Sequence, residues 1–452
     1  MSRLVSIIVG TIFFYGCSKL ESAPDHFQTF ADSLIQANID SGLVAGASVV
    51  VFRDNKMMLN KSYGYASIEL SAPIPEHASY EIGSVTKQFT AAAILRLAGE
   101  GKISLDDDFT KYVNFNTRGR KVTIRQLLNH TSGIPGYTEL PEFNDLSLLS
   151  YPRDTLLRIV EQKEFLFEPG EALIYSNTGY FLLGLVIMNA SNMRYIDYLQ
   201  EQFFDPLGMK DTYYCSTNKI TKNKVYGYSY SDDVLKQKDY LDHTWPFAAG
   251  SLCSTADDLL LWMRALHTGK VLDSSQYAQL TEPQTLNDGS PLRYAMGIMN
   301  YKLYGNRLIG HGGGINGFVS DTRYFPEANL YVVCLVNTTG PIGANFFSDQ
   351  LTWKLLRKEQ PTALPLDTEV SSLNGTYTGQ ARGSILVVDV GSADQDITVR
   401  FNGASNADTL RTYLGNHTWA RGNNLIQIKD GKLSYDVVIG HFVLKKSAKQ
   451  GH

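Results

Sequence analysis

The sequence predicts an α/β (α+β) protein: an antiparallel sheet flanked by helices, an all-helical subdomain, and a small antiparallel β-barrel or sandwich at the C-terminus. Three observations carry that prediction. Strand-like runs cluster at both ends of the first 360 residues, and helical periodicity and loops dominate between 100 and 270. Beyond Pro361-Thr-Ala-Leu-Pro365 the texture changes to short alternating runs separated by Gly, Asn or Asp turns. A sheet built from the two ends of a segment around an inserted helical region leaves a cleft between the two parts.

The N-terminus comes first. Arg3 precedes an apolar run, Leu4 to Tyr15, and then Gly16-Cys17. That run is shorter than the ~20 residues a membrane-spanning helix needs. A basic start, a short apolar stretch and a small residue before the cut describe an export signal over 1–16. Ending at Gly-Cys, the segment resembles the bacterial lipoprotein signal, with Cys17 lipidated and anchoring the chain to a membrane in the periplasm or cell envelope. Residues 17–25 then form a linker, 26–360 the main domain, and 366–452 a small all-β domain.

Within the main domain, 26–41 reads as an amphipathic helix through Phe30, Leu34, Ile35 and Ala37. Gly46 to Phe52 and Lys56 to Tyr65 read as strands joined by an Asp54-Asn55 turn. From 84 to 99 the pattern is helical and is closed by Gly99 and Gly101. Helices are expected at Thr123 to Asn129, Tyr180 to Asn189, Met193 to Phe204 and Ala256 to Leu266. Strands return at Tyr294 to Tyr301, Arg307 to Gly310, Phe318 to Phe325 and Leu330 to Asn337, before a last helix from Phe346 to Lys358. In the C-terminal domain the strand runs are Ile385 to Val390, Ile397 to Phe401, Leu410 to Leu414, Leu425 to Lys429 and Tyr435 to Leu444.

Composition excludes more than it names. The 452 residues carry a net charge of −4 and are 43% hydrophobic, so the chain is an ordinary folded protein without the basic field that nucleic acid requires. Four cysteines without a CxxC pair are neither a disulfide scaffold nor a zinc site. With Cys17 lipidated, Cys215, Cys253 and Cys334 permit at most one disulfide. Cys334, inside Tyr331-Val-Val-Cys-Leu-Val336, reads as an inert core residue.

The chemistry concentrates in Tyr80-Glu-Ile-Gly-Ser84-Val-Thr-Lys87-Gln-Phe89. A serine opens a helix, and a lysine one turn later shares its face. The helix start offers free N–H groups and a positive dipole end to a developing oxyanion. Serine becomes nucleophilic when a neighbouring base takes its proton, and lysine is such a base only when burial or another cation depresses its pKa. A second Ser-x-x-Lys, Ser216 to Lys219, lies in a polar run and reads as loop. The first is backed by the apolar helix Phe89 to Ala98.

Ser84-x-x-Lys87, Thr123-Ile-Arg-Gln-Leu-Leu-Asn-His-Thr-Ser-Gly-Ile-Pro135, Glu168-Pro-Gly-Glu-Ala-Leu-Ile-Tyr-Ser-Asn177 and His311-Gly-Gly-Gly314 follow one another in that order. Over roughly residues 26–358 the set resembles the serine β-lactamase and penicillin-binding protein superfamily, in its class C-like branch. That resemblance implies a β-lactamase/transpeptidase-like fold and a serine hydrolase acting through a Ser84 acyl-enzyme. Tyr175 would be the phenolate that shuttles the proton, its acidity raised by the nearby ammonium. Asn177 would orient Lys87 and a substrate carbonyl, and the N–H groups of Ser84 and Gly314 would form the oxyanion hole. His311, Gly313 and Gly314 would line the substrate strand.

Three other Lys- or His-x-Gly triplets start at His267, Lys429 and Lys449. The first ends a helix at an expected glycine C-cap, and the lysine copies lie in the C-terminal domain or tail. Where many relatives carry lysine, His311 is mostly neutral at pH 7 and titrates near ~6.5. That leaves esters, amides and D-amino-acid peptides as substrates ahead of β-lactams. Glu168 and Glu171 read as exposed scaffold residues, and His130 as a hydrogen-bonded loop residue.

The expected partner is a small-molecule or peptide substrate, and the chemistry requires neither metal nor organic cofactor. Two rival readings are a catalytically silent relative that binds cell-wall peptides and a C-terminal domain that binds lipid or a small molecule on its own account.

Overall fold

The structure is a computed structural model and describes residues 23–216, 220–393 and 396–447. The expected export signal and Cys17 lie outside the described residues, as do Lys219 and the Lys449 triplet. Among the described residues, no helix is long and apolar enough to cross a membrane.

Seven strands form the central sheet: β1 (Gly46–Arg53), β2 (Lys56–Ser67), β3 (Ala72–Pro73), β4 (Met299–Leu303), β5 (Asn306–Ile315), β6 (Phe318–Phe325) and β7 (Leu330–Val336). Their order is β4-β5-β6-β7-β1-β2-β3, so the two ends of the domain meet where β1 pairs antiparallel with β7, Ala47 opposite Val336 and Val50 opposite Val333. The alternation of side chains sorts β1 between two cores. Ala47, Val49 and Val51 pack with Phe27, Ala31 and Phe347, which belong to helix α1 (Ala23–Asp40) and a helix at Ala344–Leu355. Val50 and Phe52 face the larger core under the helical region. A sheet covered on both faces explains why β1 and β7 read as almost unbroken apolar runs.

The larger core is organised around α2 (Thr86–Gly99), eleven of whose fourteen residues are buried. Phe89 stacks on Trp262 with ring centroids 4.0 Å apart. A helix α3 (Ile124–Leu128) starts in a capping box between Thr123 and Gln126, and α4 (Asn177–Ser191) runs through the core beside it.

The C-terminal residues form an antiparallel sheet of nine strands, curled until its edge strands, Asp408–Leu410 and Thr412–Gly415, are separated by Arg411 alone. The result is a nearly closed barrel filled by Tyr377, Val388, Ile397, Trp419, Ile426 and Leu433. A tenth strand comes from the main domain: Leu173–Ile174 pairs with His441 and Gly440.

Several element boundaries differ from the sequence reading, each for a tertiary reason. β5 continues through His311-Gly-Gly-Gly314, because pairing with β6 from Ile309 to Ile315 outweighs the weak strand preference of glycine. The expected Tyr294 to Tyr301 strand begins only at Met299, after a turn with Gly297 at φ +69°. The Tyr435 to Leu444 run divides into a hairpin, Lys432–Val437 and Gly440–Lys446, and strands at Gly375–Ala381 and Thr418–Arg421 add to those expected. Cys215 and Cys253 form one disulfide, and Cys334 is free and buried.

Candidate active site

The nucleophile candidate sits in a tightly clamped turn. Tyr80–Glu81 pairs with Leu252–Ser254, whose Cys253 is bonded to Cys215. The chain then makes a 3₁₀ turn at Gly83–Val85 before α2 begins, so Ser84 stands one tight turn ahead of the α-helix. Gly83 has φ +50°, and a Cβ there would lie 2.8 Å from the Gly314 carbonyl oxygen. β5 reaches the turn because position 83 has no side chain. From Ser79 to Leu95, Ser84 is the only residue that is not fully buried.

Lys87 is entirely buried, with Nζ 3.0 Å from Ser84 Oγ, 2.8 Å from Asn177 Oδ1 and 2.7 Å from the Ala249 carbonyl. Burial holds its pKa well below the lysine range. The Arg382 guanidinium pushes the same way, and Glu139 opposes it. Nζ donates to Asn177 Oδ1 and the Ala249 carbonyl, and its third position faces Ser84 Oγ, so that with the amine deprotonated a lone pair would point at the Ser84 hydroxyl. That is the geometry of a general base.

Tyr175 and Asn177 lie on the far wall, at the end of the Leu173–Ile174 strand and the start of α4. The Lys87 Nζ stands 4.8 Å from the Tyr175 ring centroid. The expectation of a phenolate is corrected by the structure. Burial raises the Tyr175 pKa above the ordinary value, outweighing the opposite pull of Ser84 and Arg382, so the group rests as a neutral phenol. Its hydroxyl is buried and has no partner of hydrogen-bond geometry. Asn177 orients Lys87, and its Nδ2 donates to Thr138 Oγ1 at 3.1 Å.

His311 lies within β5 and is buried. Its Nδ1 donates to the Gly312 carbonyl at 2.5 Å, and its Nε2 accepts from the Tyr294 hydroxyl at 2.9 Å. Burial first, and the neighbouring Lys87, when it is an ammonium, second, push its pKa down to about 3. The expected titration near 6.5 is thereby overturned: His311 is neutral, and both its nitrogens serve protein groups. Gly313 abuts the nucleophile turn, where a Cβ would sit 2.1 Å from the Ile82 carbonyl oxygen and 3.1 Å from the Ser84 nitrogen. Gly314 is exposed, with nothing within 4 Å of its Cβ position. These placements bring the backbones of Ser84 and Gly314 to one edge of the cleft.

His130 is buried under Tyr175, ring centroids 4.1 Å apart, and accepts the Ser176 N–H on Nδ1 at 3.2 Å. It is a structural prop. His267 ends its helix and hydrogen-bonds Tyr277 at 2.8 Å. Glu168 pairs with Arg120 at the surface, and Glu171 is exposed. Sequence reasoning missed Thr138, Glu139, the Ala249 carbonyl, Tyr294 and Arg382. None stands in a motif, and only the chain's path brings them to the site. A cavity of about 110 Å³ opens on Ser84, lined also by Thr138, Asn177, Gly250 and Gly314.

Residues 31–356 match the family model described as Beta-lactamase. "Protein flp" of Staphylococcus aureus (strain N315) is 30% identical over 315 residues, 68% of this chain and 62% of that protein. The match therefore spans less than two thirds of that relative. "Penicillin-binding protein 4*" of Bacillus subtilis (strain 168) is 28% identical over 310 residues, 65% of this chain and 67% of that protein. Among solved structures, the octameric penicillin-binding protein homologue from Pyrococcus abyssi aligns with a TM-score of 0.65 and 25% identity, over 92% of this chain and 99% of that one. A D-stereospecific amidohydrolase from Streptomyces sp. aligns with a TM-score of 0.64 and 27% identity, over 73% and 99%.

Proposed function

We propose, from the premise that this chain belongs to the Beta-lactamase family of serine hydrolases, that Ser84 opens an ester or amide carbonyl and holds the acyl group until water releases it. The observation that carries the reading is the Lys87 amine, buried, 3.0 Å from Ser84 Oγ and fixed by Asn177 and Ala249. Lys87 takes the Ser84 proton as Oγ attacks. The oxyanion lies between the Ser84 and Gly314 N–H groups. Tyr175, a neutral phenol, passes its proton to the leaving group and regains one from the Lys87 ammonium. The same pair then activates water for deacylation.

The substrate class we assign is D-amino-acid amides and small esters. A neutral, internally bonded His311 offers no cation to a β-lactam or peptide carboxylate. The similarity to a D-stereospecific amidohydrolase supports the same class. We also place the mature protein outside the cytoplasm, anchored through Cys17. The signal-like N-terminus supports this, and so does the Cys215–Cys253 disulfide, a bond that persists in oxidising compartments.

The test runs p-nitrophenyl esters, D-alanyl amides and a chromogenic cephalosporin in parallel, with Ser84→Ala as control and a fluorophosphonate probe for labelling. Ester or D-amide turnover that disappears in Ser84→Ala is the expected result. Probe labelling elsewhere, or undiminished hydrolysis by Ser84→Ala, overturns the reading. Muropeptide binding without any turnover would favour the silent relative instead.

A further inference from the structure

We propose that Arg382, carried by the C-terminal barrel, is a positioning residue of the hydrolase site, so that the barrel is a working part of the active site. The inference rests on the serine-hydrolase reading of Ser84 and Lys87.

Three independent contacts carry it. Arg382 lies in the turn between the strands Gly375–Ala381 and Ser384–Ala393 and reaches back into the main domain. Its Nε donates to Glu139 Oε1 at 2.6 Å, and a terminal nitrogen donates to Thr138 Oγ1 at 3.4 Å. Thr138 Oγ1 also accepts from Asn177 Nδ2 at 3.1 Å, and Asn177 Oδ1 holds Lys87 Nζ at 2.8 Å. A continuous line of polar contacts thus joins the barrel to the base of Ser84. The guanidinium carbon also stands 5.1 Å from the Tyr175 ring centroid.

The second contact is the ladder. Leu173–Ile174, which delivers Tyr175, is paired with Gly440 and His441 of the barrel. Such pairing fixes the strand that carries the proposed acid. The third is Arg293, whose Nε lies 3.0 Å from Asp436 Oδ2 and which donates 2.7 Å to the Asp436 carbonyl, pinning the barrel close to that ladder.

Between the two domains a cavity of about 310 Å³ is lined by Tyr175, Ser176 and Glu139 from one side and by Ala381, Arg382 and Ser384 from the other. Arg382 therefore stands at a substrate-sized space as well as at the catalytic line. Its charge and that of Glu139 act on Lys87 with opposite sign: the cation disfavours the ammonium, and the carboxylate favours it.

Opposed signs give a test that a merely structural role would fail. Full-length wild type, Arg382→Met, Arg382→Lys, Glu139→Gln and the double variant Arg382→Met/Glu139→Gln are compared by kcat/KM against pH and by thermal unfolding. Arg382 is partly exposed, which screens its effect. Its loss moves the acid limb of the profile up by about half to one pH unit, a fall of about three- to tenfold in kcat/KM below that limb. Glu139→Gln moves the limb down, the double variant restores it towards wild type, and Arg382→Lys keeps most of the wild-type position.

An acid limb unmoved in a folded Arg382→Met overturns the inference, as does a shift of the same sign in both single variants. Ser84→Ala, run alongside, separates the two levels. Turnover that survives it overturns the hydrolase reading and this inference together. Turnover that needs Ser84 but ignores Arg382 overturns this inference alone.

Discussion

Replacing Gly313 by alanine drives a methyl carbon into the backbone that carries Ser84, the proposed nucleophile. Built on the present backbone, that carbon lies 2.1 Å from the Ile82 carbonyl oxygen, 2.4 Å from Ser320 Oγ and 3.1 Å from the Ser84 nitrogen. Backbone cannot swing aside as a long side chain does, so β5 must retreat from the Gly83–Val85 turn by at least about 1 Å to reach ordinary contact. Overpacking of this kind costs about 1–3 kcal/mol of stability. The same displacement carries the Gly314 N–H away from Ser84, and a misplacement of about 1 Å costs on the order of 10²-fold in rate. Its neighbours supply the controls. A Cβ at Gly312 would be 3.6 Å from the nearest atom, and one at Gly314 would meet nothing within 4 Å. Gly312→Ala should stay within about 0.5 kcal/mol of wild type and keep its activity. Gly314→Ala should unfold like wild type but raise KM, because its methyl enters the cleft. Urea unfolding and steady-state hydrolysis of an ester turned over by the wild type measure all three. A Gly313→Ala protein as stable and as fast as Gly312→Ala would refute the reasoning.

Three further predictions use other parts of the site. Tyr175→Phe removes a buried hydroxyl without a hydrogen-bond partner, so turnover should fall by about 10²–10⁴-fold while stability holds or rises by about 1 kcal/mol, read by assay and urea titration together. His311 and His267 both have folded pKa values lowered to about 3 from 6.5, so the unfolded chain binds more protons between those values. Stability should therefore be fully present above pH 6.5 and fall as pH drops towards 3, and His311→Gln should flatten that slope in unfolding measurements at stepped pH. Cys253→Ser opens a disulfide spanning 38 residues, for which the chain-entropy estimate is about 4 kcal/mol, and should lower the unfolding midpoint while leaving the Ser84-to-Lys87 geometry able to label with a fluorophosphonate.

What could be read from the chain alone divides along a physical line. Ser84 and Lys87 are three residues apart, and helical geometry alone puts them together. Asn177 was legible only through the family resemblance of its motif, and Cys334 because an unbroken apolar run can only be interior. Protonation was not legible. The sequence reading made Tyr175 a phenolate and let His311 titrate near neutrality, whereas burial dominates both and leaves each neutral. Glycine's weak strand preference likewise ended the strand at Gly310 in a reading from propensity; the resemblance alone put Gly313 and Gly314 on a strand, and pairing with β6 is what holds them there. Thr138 and Arg382 were beyond reach for a plainer reason. Their contact joins positions 244 residues apart, and nothing local to either announces it.

Those neutral groups, taken together, change the chemical character of the cleft. Burial holds His130 and His311 uncharged and depresses Lys87, while Tyr180 and Tyr294 are pushed well above the phenol range. His130, His311, Tyr180 and Tyr294 thus serve as hydrogen-bond donors and acceptors, and Arg382 and Glu139, paired to each other, stand one residue further out. In the proposed mechanism, proton transfer from Ser84 to a neutral Lys87 amine creates a charge pair, Lys87 ammonium and substrate oxyanion, inside a buried site. Such a pair is costly unless fixed dipoles already face both ends. Asn177 Oδ1 and the Ala249 carbonyl face the ammonium, and the helix start with the Gly314 strand faces the oxyanion. A site arranged this way stabilises charge made during the reaction more than charge brought in by the substrate. That is the physical ground for expecting esters and amides that lack a carboxylate to outrun carboxylate-bearing β-lactams.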